Sequence, residues 1–171
     1  MKRKISLSAV ALLFLFAACM NAAAQTSADN SADKKAVADV VDQLFAKMAA
    51  AEPEAIRALQ TPQSQIVAVA RGKDKKNHVQ TYSAETFSKF FTNKDAKIEE
   101  RMHSTKTEID GDLAMYWGRY VFFAGGKLSH CGLNTFHLVR TEGVWKIAGA
   151  ASTIDPDSCT KKEKAMKPSL K

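Results

Sequence analysis

The sequence predicts an α+β fold in which N-terminal helices pack into the concave face of a strongly curved antiparallel sheet. Three observations carry this reading. Apolar residues recur at three- and four-residue steps from Val37 to Met48, the period of an amphipathic helix. After Asn93 the period drops to two, the alternation of strands. Short glycine turns then cut the second half into four runs of similar length, and four consecutive long strands form a meander whose concave face needs a cover. The chain has 171 residues, a length that suits one domain.

The first element is an export leader over residues 1–24. Lys2, Arg3 and Lys4 precede an apolar run of 14 residues from Ile5 to Ala18, too short for a bilayer span of about 20 residues. Ala22-Ala23-Ala24 supplies the small residues of a cleavage site. Phe16-Ala17-Ala18-Cys19 is a second processing option, with lipid attached to Cys19. Either route leads to a periplasmic or secreted domain. No later stretch is long and apolar enough to span a membrane. Residues 25–33 are small and polar, a disordered lead-in.

The domain then runs over residues 34–158. Asp33 is placed to cap the first helix, whose apolar stripe is Val37, Val40, Val41, Leu44, Phe45 and Met48. Glu52-Pro53-Glu54 opens a short second helix, and Thr61-Pro62 closes it. Residues 66–70 form a short apolar strand, and residues 71–77 a charged turn. Ser83 is an N-cap for a third helix bearing Phe87, Phe90 and Phe91. Four strands follow over residues 97–109, 113–123, 128–140 and 144–154. Gly111, Gly125-Gly126 and Gly143 stand in the hairpin turns between them.

Net charge is +7, yet the body is neutral. The leader lysines and arginine, together with the basic tail in residues 159–171, account for the whole excess. A neutral body argues against nucleic-acid binding, which needs a clustered basic surface. The tail reads as solvated, with weak attraction to an acidic membrane surface as the lesser option. Export also changes how the cysteines read. Cys131 and Cys159 remain as an even pair in an oxidising compartment, and a disulfide between them is expected.

The order of elements resembles the nuclear transport factor 2-like superfamily. The carrying residues are Asp110-Gly-Asp-Leu-Ala114, Trp117-Gly-Arg-Tyr-Val-Phe122, His130-Cys-Gly-Leu-Asn-Thr-Phe-His-Leu-Val-Arg140 and Trp145-Lys-Ile147. The resemblance covers roughly Lys34 to Asp157 and is closest to small exported SnoaL-like bacterial proteins. It implies a cone, or cystatin-like roll, of the kind shared by ketosteroid isomerases, scytalone dehydratase and polyketide cyclases. Members of the superfamily range from enzymes to binding and dimerisation modules, so the fold leaves function open.

Unbroken two-residue turns would pair Phe123 with Leu128 and Trp117 with Asn134. They would set Trp117, Arg119, His130, Asn134, Phe136 and Leu138 on one face of the sheet. Ala114, Tyr116, Tyr120, Phe122, Cys131, Leu133, Thr135 and His137 would share the other. The first face is the more apolar and is expected to line the cone; a one-residue slip would reverse this. The second face is expected to meet another subunit in a homodimer.

Within the cone, Trp117, Arg119 and Asn134 are candidate ligand-binding residues, and His130 a candidate general base near neutral pH. Arg119 can equally serve a salt bridge to Glu99 or Glu100, and His130 and Asn134 can be structural. His103 is a second candidate base, on the same face as Arg119 only if the turn after Asp110 is three residues long. The acid–base pattern of the superfamily's enzymes does not map onto residues 97–109, which show no obvious inward Asp. No cofactor or metal is expected. G-x-S-x-G, H-E-x-x-H, C-x-x-C and glycine-rich phosphate motifs are missing. His130 and His137 lie seven apart on opposite faces.

The expected function is to hold a small, mostly apolar molecule in the cone. The alternatives are a small-molecule isomerase, dehydratase or cyclase with a His base, and a dimerising interaction module with a filled cone.

Overall fold

A computed structural model describes residues 31–169. The export leader predicted over residues 1–24, Cys19 with it, and residues 25–30 of the lead-in lie outside these.

Among the described residues, helix α1 covers residues 31–50. Asp33, expected to cap it, lies within it and pairs with Arg140. Helix α2 is Pro53–Ala58, with the proline at its start, where a missing N–H costs nothing. Strand β1, Gln60–Arg71, is more than twice the length of the strand predicted at residues 66–70. Strand β2, Asn77–Ser83, has no apolar alternation to announce it; it is an exposed edge strand, so its side chains are free to be polar. Helix α3, Ala84–Ser88, is capped by Ser83, whose Oγ accepts from the Thr86 N–H at 3.1 Å. Strands β3 (Glu99–Asp110), β4 (Leu113–Ala124), β5 (Lys127–Thr141) and β6 (Val144–Ile154) form the predicted meander.

The sheet is ordered β2-β1-β6-β5-β4-β3. Every neighbouring pair is antiparallel except β1 with β6, which run parallel. The sheet curls without closing, and α1 lies in its hollow. Val37, Val41, Leu44, Phe45 and Met48 meet Tyr116, Phe136, Leu138, Trp145 and Ile147 in the main core. Each such side chain, taken fully out of water, contributes about 1.5–3 kcal/mol.

Three bulges decide which side chains face that hollow. The Gly125-Gly126 turn has two residues as predicted, both glycines at positive φ. Beyond it, the pairing moves from Phe123–Leu128 to Phe122–His130, leaving Ser129 over. The register after that point is one residue off the unbroken expectation, and Trp117 pairs with Thr135, not Asn134. A second shift at Ala148 pairs Phe136 with Ala150. A third, at Ser104 and Thr105, brings His103 opposite Arg119 although the turn after Asp110 has only two residues. Ser104 takes φ 54° there.

The chain beyond β6 is also structured. Cys131 and Cys159 are joined by the expected disulfide, Cα to Cα 5.1 Å. Residues 160–169 then fold back over the outer face of β4 and β3, where a solvated tail was expected. Helix α4, Lys161–Lys164, starts in a capping box between Thr160 and Glu163. Arg101 Nη2 donates to the Lys167 carbonyl at 2.6 Å, and the Ser169 N–H donates to Glu99 Oε2 at 2.7 Å. A small apolar cluster of Val121, Phe123, Cys131 and Cys159 lies beneath this strap, with Met166 packed on it.

Candidate functional site

The hollow of the sheet is not filled. A cavity of about 270 Å³ remains between α1, the α3 region and the inner sheet face. Its origin is local. The floor strands present small residues inward: Ala68 and Ala70 from β1, Ala150 and Ser152 from β6. Gly132 adds no side chain between Tyr120 and Asn134. A Cβ at Gly132 would come within 1.8 Å of the Thr153 carbonyl oxygen and 2.7 Å of the Tyr120 ring. Facing this floor are large side chains of the helical half, Phe45, Met48, Phe87, Phe90 and Phe91. Small against large leaves a gap with apolar walls.

The polar groups in the cavity are few and come from different strands. Glu100 enters from β3, Tyr120 from β4, and His130 and Asn134 from β5, with Gln80 and Tyr82 from β2 and Ser152 from β6. Asn134 is only 1% exposed. Its Nδ2 donates to Glu100 Oε1 at 2.6 Å, and its buried Oδ1 has no hydrogen-bond partner. Burial pushes the Glu100 carboxyl up to about 7, against the hydrogen bond from Asn134, which lowers it. A carboxyl so placed can hold or release a proton at neutral pH.

Burial pushes the His130 imidazole the other way, down to about 4, so the ring is neutral at neutral pH. His130 stacks on Phe122 with ring centres 4.7 Å apart and meets the Tyr120 ring edge-on. The Tyr120 hydroxyl donates to the Thr153 carbonyl at 2.8 Å, and burial raises its phenol well above the ordinary range. At the cavity edge, Tyr82 and Phe90 make an edge-to-face pair, with Phe90 54% exposed.

Of the residues singled out from the sequence, His130 and Asn134 lie inside the cone and Trp117, Arg119 and His103 do not. The Ser129 bulge inverts the expected parity of β4, so Tyr120 and Phe122 point in and Trp117 and Arg119 point out. Trp117 lies under the Lys106 ammonium, 5.3 Å from its ring centre. Arg119 is bound to Glu163 through Nε at 3.0 Å and Nη2 at 2.9 Å, and His103 Nε2 meets the same carboxylate at 2.9 Å. Glu163 is fully buried. Burial alone would raise its carboxyl, but hydrogen bonds from Arg119, Thr160 and His103 outweigh that and hold it at about 2. Arg119 and His103 thus anchor the strap. The salt bridge considered for Arg119 exists, but to Glu163.

Glu100 and Tyr120 are cavity residues that sequence reasoning missed, as are Gln80 and Tyr82. A signal for Glu100 was present. Glu99 and Glu100 are adjacent in a strand, so one of the two carboxylates has to face inward. Among the described residues, no group of three or more His, Cys, Asp or Glu is placed to hold a metal ion.

No protein-family model matches the chain, and no curated protein matches it in sequence. Solved structures do match in shape. A nuclear transport factor 2-like protein with a cystatin-like fold from Novosphingobium aromaticivorans superposes with a TM-score of 0.62 at 12% identity, over 86% of this chain and 96% of its own. A Mycobacterium tuberculosis protein of unknown function gives 0.63 at 13% identity, over 81% and 84%. A provisionally named scytalone dehydratase from Novosphingobium aromaticivorans gives 0.61 at 11% identity, over 75% and 88%. The chain has the nuclear transport factor 2-like fold, and identities this low speak to the fold alone.

Proposed function

We propose that this chain is an exported, SnoaL-like domain that holds a small, mostly apolar molecule in its cone, gripping one polar group of that molecule between Glu100 and Asn134. The observation that carries the reading is a cavity of about 270 Å³ with apolar walls and a single carboxyl–carboxamide pair. Small-molecule sites are built this way, a few polar groups in an apolar pocket, usually of about 300–1,000 Å³. The volume is nearly twice the roughly 150 Å³ that accommodates benzene, which suits a ligand of about two rings.

Export is supported by the leader pattern and by the disulfide. Among the described residues no helix is long and apolar enough to cross a membrane. A homodimer is supported by Leu113 and Met115, which remain 56% and 37% exposed on the outer sheet face.

One observation favours a second reading, proton-transfer catalysis. Glu100, near 7, is matched to neutral pH, whereas His130, near 4, is a weak base there. In this reading Glu100 takes the role first considered for His130, moving a proton on a carbonyl compound or eliminating water from it. Fold neighbours provisionally named dehydratases are consistent with such chemistry.

Native mass spectrometry of the protein purified gently from its own host tests the main reading. Wild type is expected to carry a non-covalent mass, and Glu100→Gln with Asn134→Ala to lose most of it. An apo spectrum for wild type, joined to unchanged binding of an environment-sensitive apolar dye in the double variant, would overturn it.

A further inference from the structure

One corner of the domain gathers positive charge from two distant parts of the chain. The β1–β2 turn carries Arg71, Lys73, Lys75 and Lys76, all exposed. The strap carries Lys161, Lys162 and Lys164, also exposed. The fold brings the two together. Lys75 Nζ lies 2.8 Å from Asp157 Oδ2, in the turn just before the strap. The same Asp157 carboxylate is held below its ordinary range by Lys75 and, more weakly, by Lys164 and Arg71.

Three acids in the same stretches, Asp74, Asp155 and Asp157, offset only part of the charge of these seven cations. Asp157 serves Lys75. Asp74 accepts from the Lys76 N–H at 3.0 Å and faces His78 at 3.3 Å. Glu163, the one acid of α4, is turned completely inward onto Arg119 and His103. Helix α4 therefore shows the solvent only its lysines. The fold thus places a cationic surface on a domain whose body, by composition, is neutral.

We infer that this corner is a docking surface for a membrane rich in anionic phospholipid headgroups. Exposed lysines on a short helix and a turn suit a diffuse layer of negative charge. They suit single-stranded nucleic acid less well, because such sites interleave aromatic platforms with the cations. Residues 71–77 and 156–165 hold no aromatic residue. The patch also begins where the cavity wall ends. Ala70 and Ile154 line the cone, Arg71 follows the first, and the Asp157 turn follows the second. Docked this way, the domain holds the ends of its cavity-lining strands against the lipid surface. The docking itself is independent of what the cone binds.

Vesicle co-sedimentation of the full chain tests the inference. The probe is phosphatidylcholine with about a third phosphatidylglycerol, against phosphatidylcholine alone, at low and high salt. Wild type is expected on the anionic vesicles only, with binding suppressed by salt. Each cation near such a surface contributes about fivefold, so Lys161→Gln/Lys162→Gln/Lys164→Gln should weaken binding on the order of 100-fold. Lys73→Gln/Lys76→Gln should weaken it by roughly 25-fold without touching α4. Lys34→Gln/Lys35→Gln/Lys146→Gln makes the same charge change at the other end of the strands and should leave binding unchanged. All chains share the same N-terminus, so binding driven by residues 1–30 would appear equally in every variant and would overturn the inference. Binding without preference for the anionic vesicles would do the same. A single-stranded oligonucleotide that binds more tightly than the vesicles, with loss in the same variants, would reassign the patch to nucleic acid.

Discussion

Burial acts on Glu100 and His130 in opposite senses, and the consequence can be measured. The folded state keeps a proton on Glu100 that the unfolded chain releases, so this group's share of stability is lost as pH rises from about 4.5 to about 7. The folded state refuses His130 a proton that the unfolded chain accepts, so stability rises with pH from about 4 to about 6.5. Between about 4.5 and 6.5 the two effects oppose. Glu100→Gln should therefore leave a denaturant midpoint that climbs through that window, and His130→Gln one that declines through it; parallel profiles for the two variants would contradict the assignment. At this scale the sequence was half legible. His130 and Asn134 were identified as polar groups on an apolar face, and both line the cavity. Arg119, Trp117 and His103 were drawn in with them because their inward direction rested on counting from a turn.

That counting belongs to the element scale, where the glycine turns were readable and the bulges were not. Gly125-Gly126 and Gly143 sit at positive φ as a two-residue hairpin turn requires. Ser129, Ala148 and the Ser104-Thr105 pair carry no comparable mark, because most residue types tolerate a bulge. One unpaired residue is enough to turn a strand over. Strand β2 was missed for a related reason: an edge strand whose residues are mostly exposed needs no apolar alternation. In the helical half the periodicity was legible, and Ser83 caps α3 as expected, but α3 ends at Ser88, short of Phe90 and Phe91, and Asp33 lies within α1 and not at its cap. The element most sensitive to a single atom is β5 at Gly132. Gly132→Ala would press a methyl group into the Thr153 carbonyl and the Tyr120 ring, and overpacking of that kind costs about 3 kcal/mol or more. Thermal denaturation should show that loss. A melt within error of wild type would mean that β5 and β6 can part without penalty.

Across the whole molecule, the sheet has a covered inner face and an outer face that the strap divides. Two fastenings hold the root of the strap. One is the disulfide; the other is Glu163 between Arg119 and His103. Closing a loop of 28 residues removes unfolded-state entropy worth on the order of 3–4 kcal/mol. Cys131→Ser/Cys159→Ser should lower the unfolding free energy by about that much, read from denaturant curves, while the far-ultraviolet circular dichroism of the sheet stays as in wild type. A stability unchanged by the double substitution would show that the strap's other contacts suffice. The fold class was legible at this scale because it follows from the order of periods along the chain. The strap was not, because a run of lysines after the last strand reads as a solvated end. Part of what turns it into structure is Glu163, whose partners His103 and Arg119 lie 60 and 44 residues away.

The disulfide also determines how the domain bears tension. Cys131 sits in β5, which is flanked by β4 and β6, so a pull on the C-terminus enters the sheet through an interior strand and not through β6. Residues beyond Cys159 pay out before the bridge takes the load. The hairpin of β5 and β6 between the two cysteines is bypassed: while the bridge is intact, about 100 Å of extended chain, from 28 residues at roughly 3.5 Å each, stays unavailable to stretching. A domain tethered by its ends would thus yield in two lengths, and which of them is reached is set by the redox state of its surroundings.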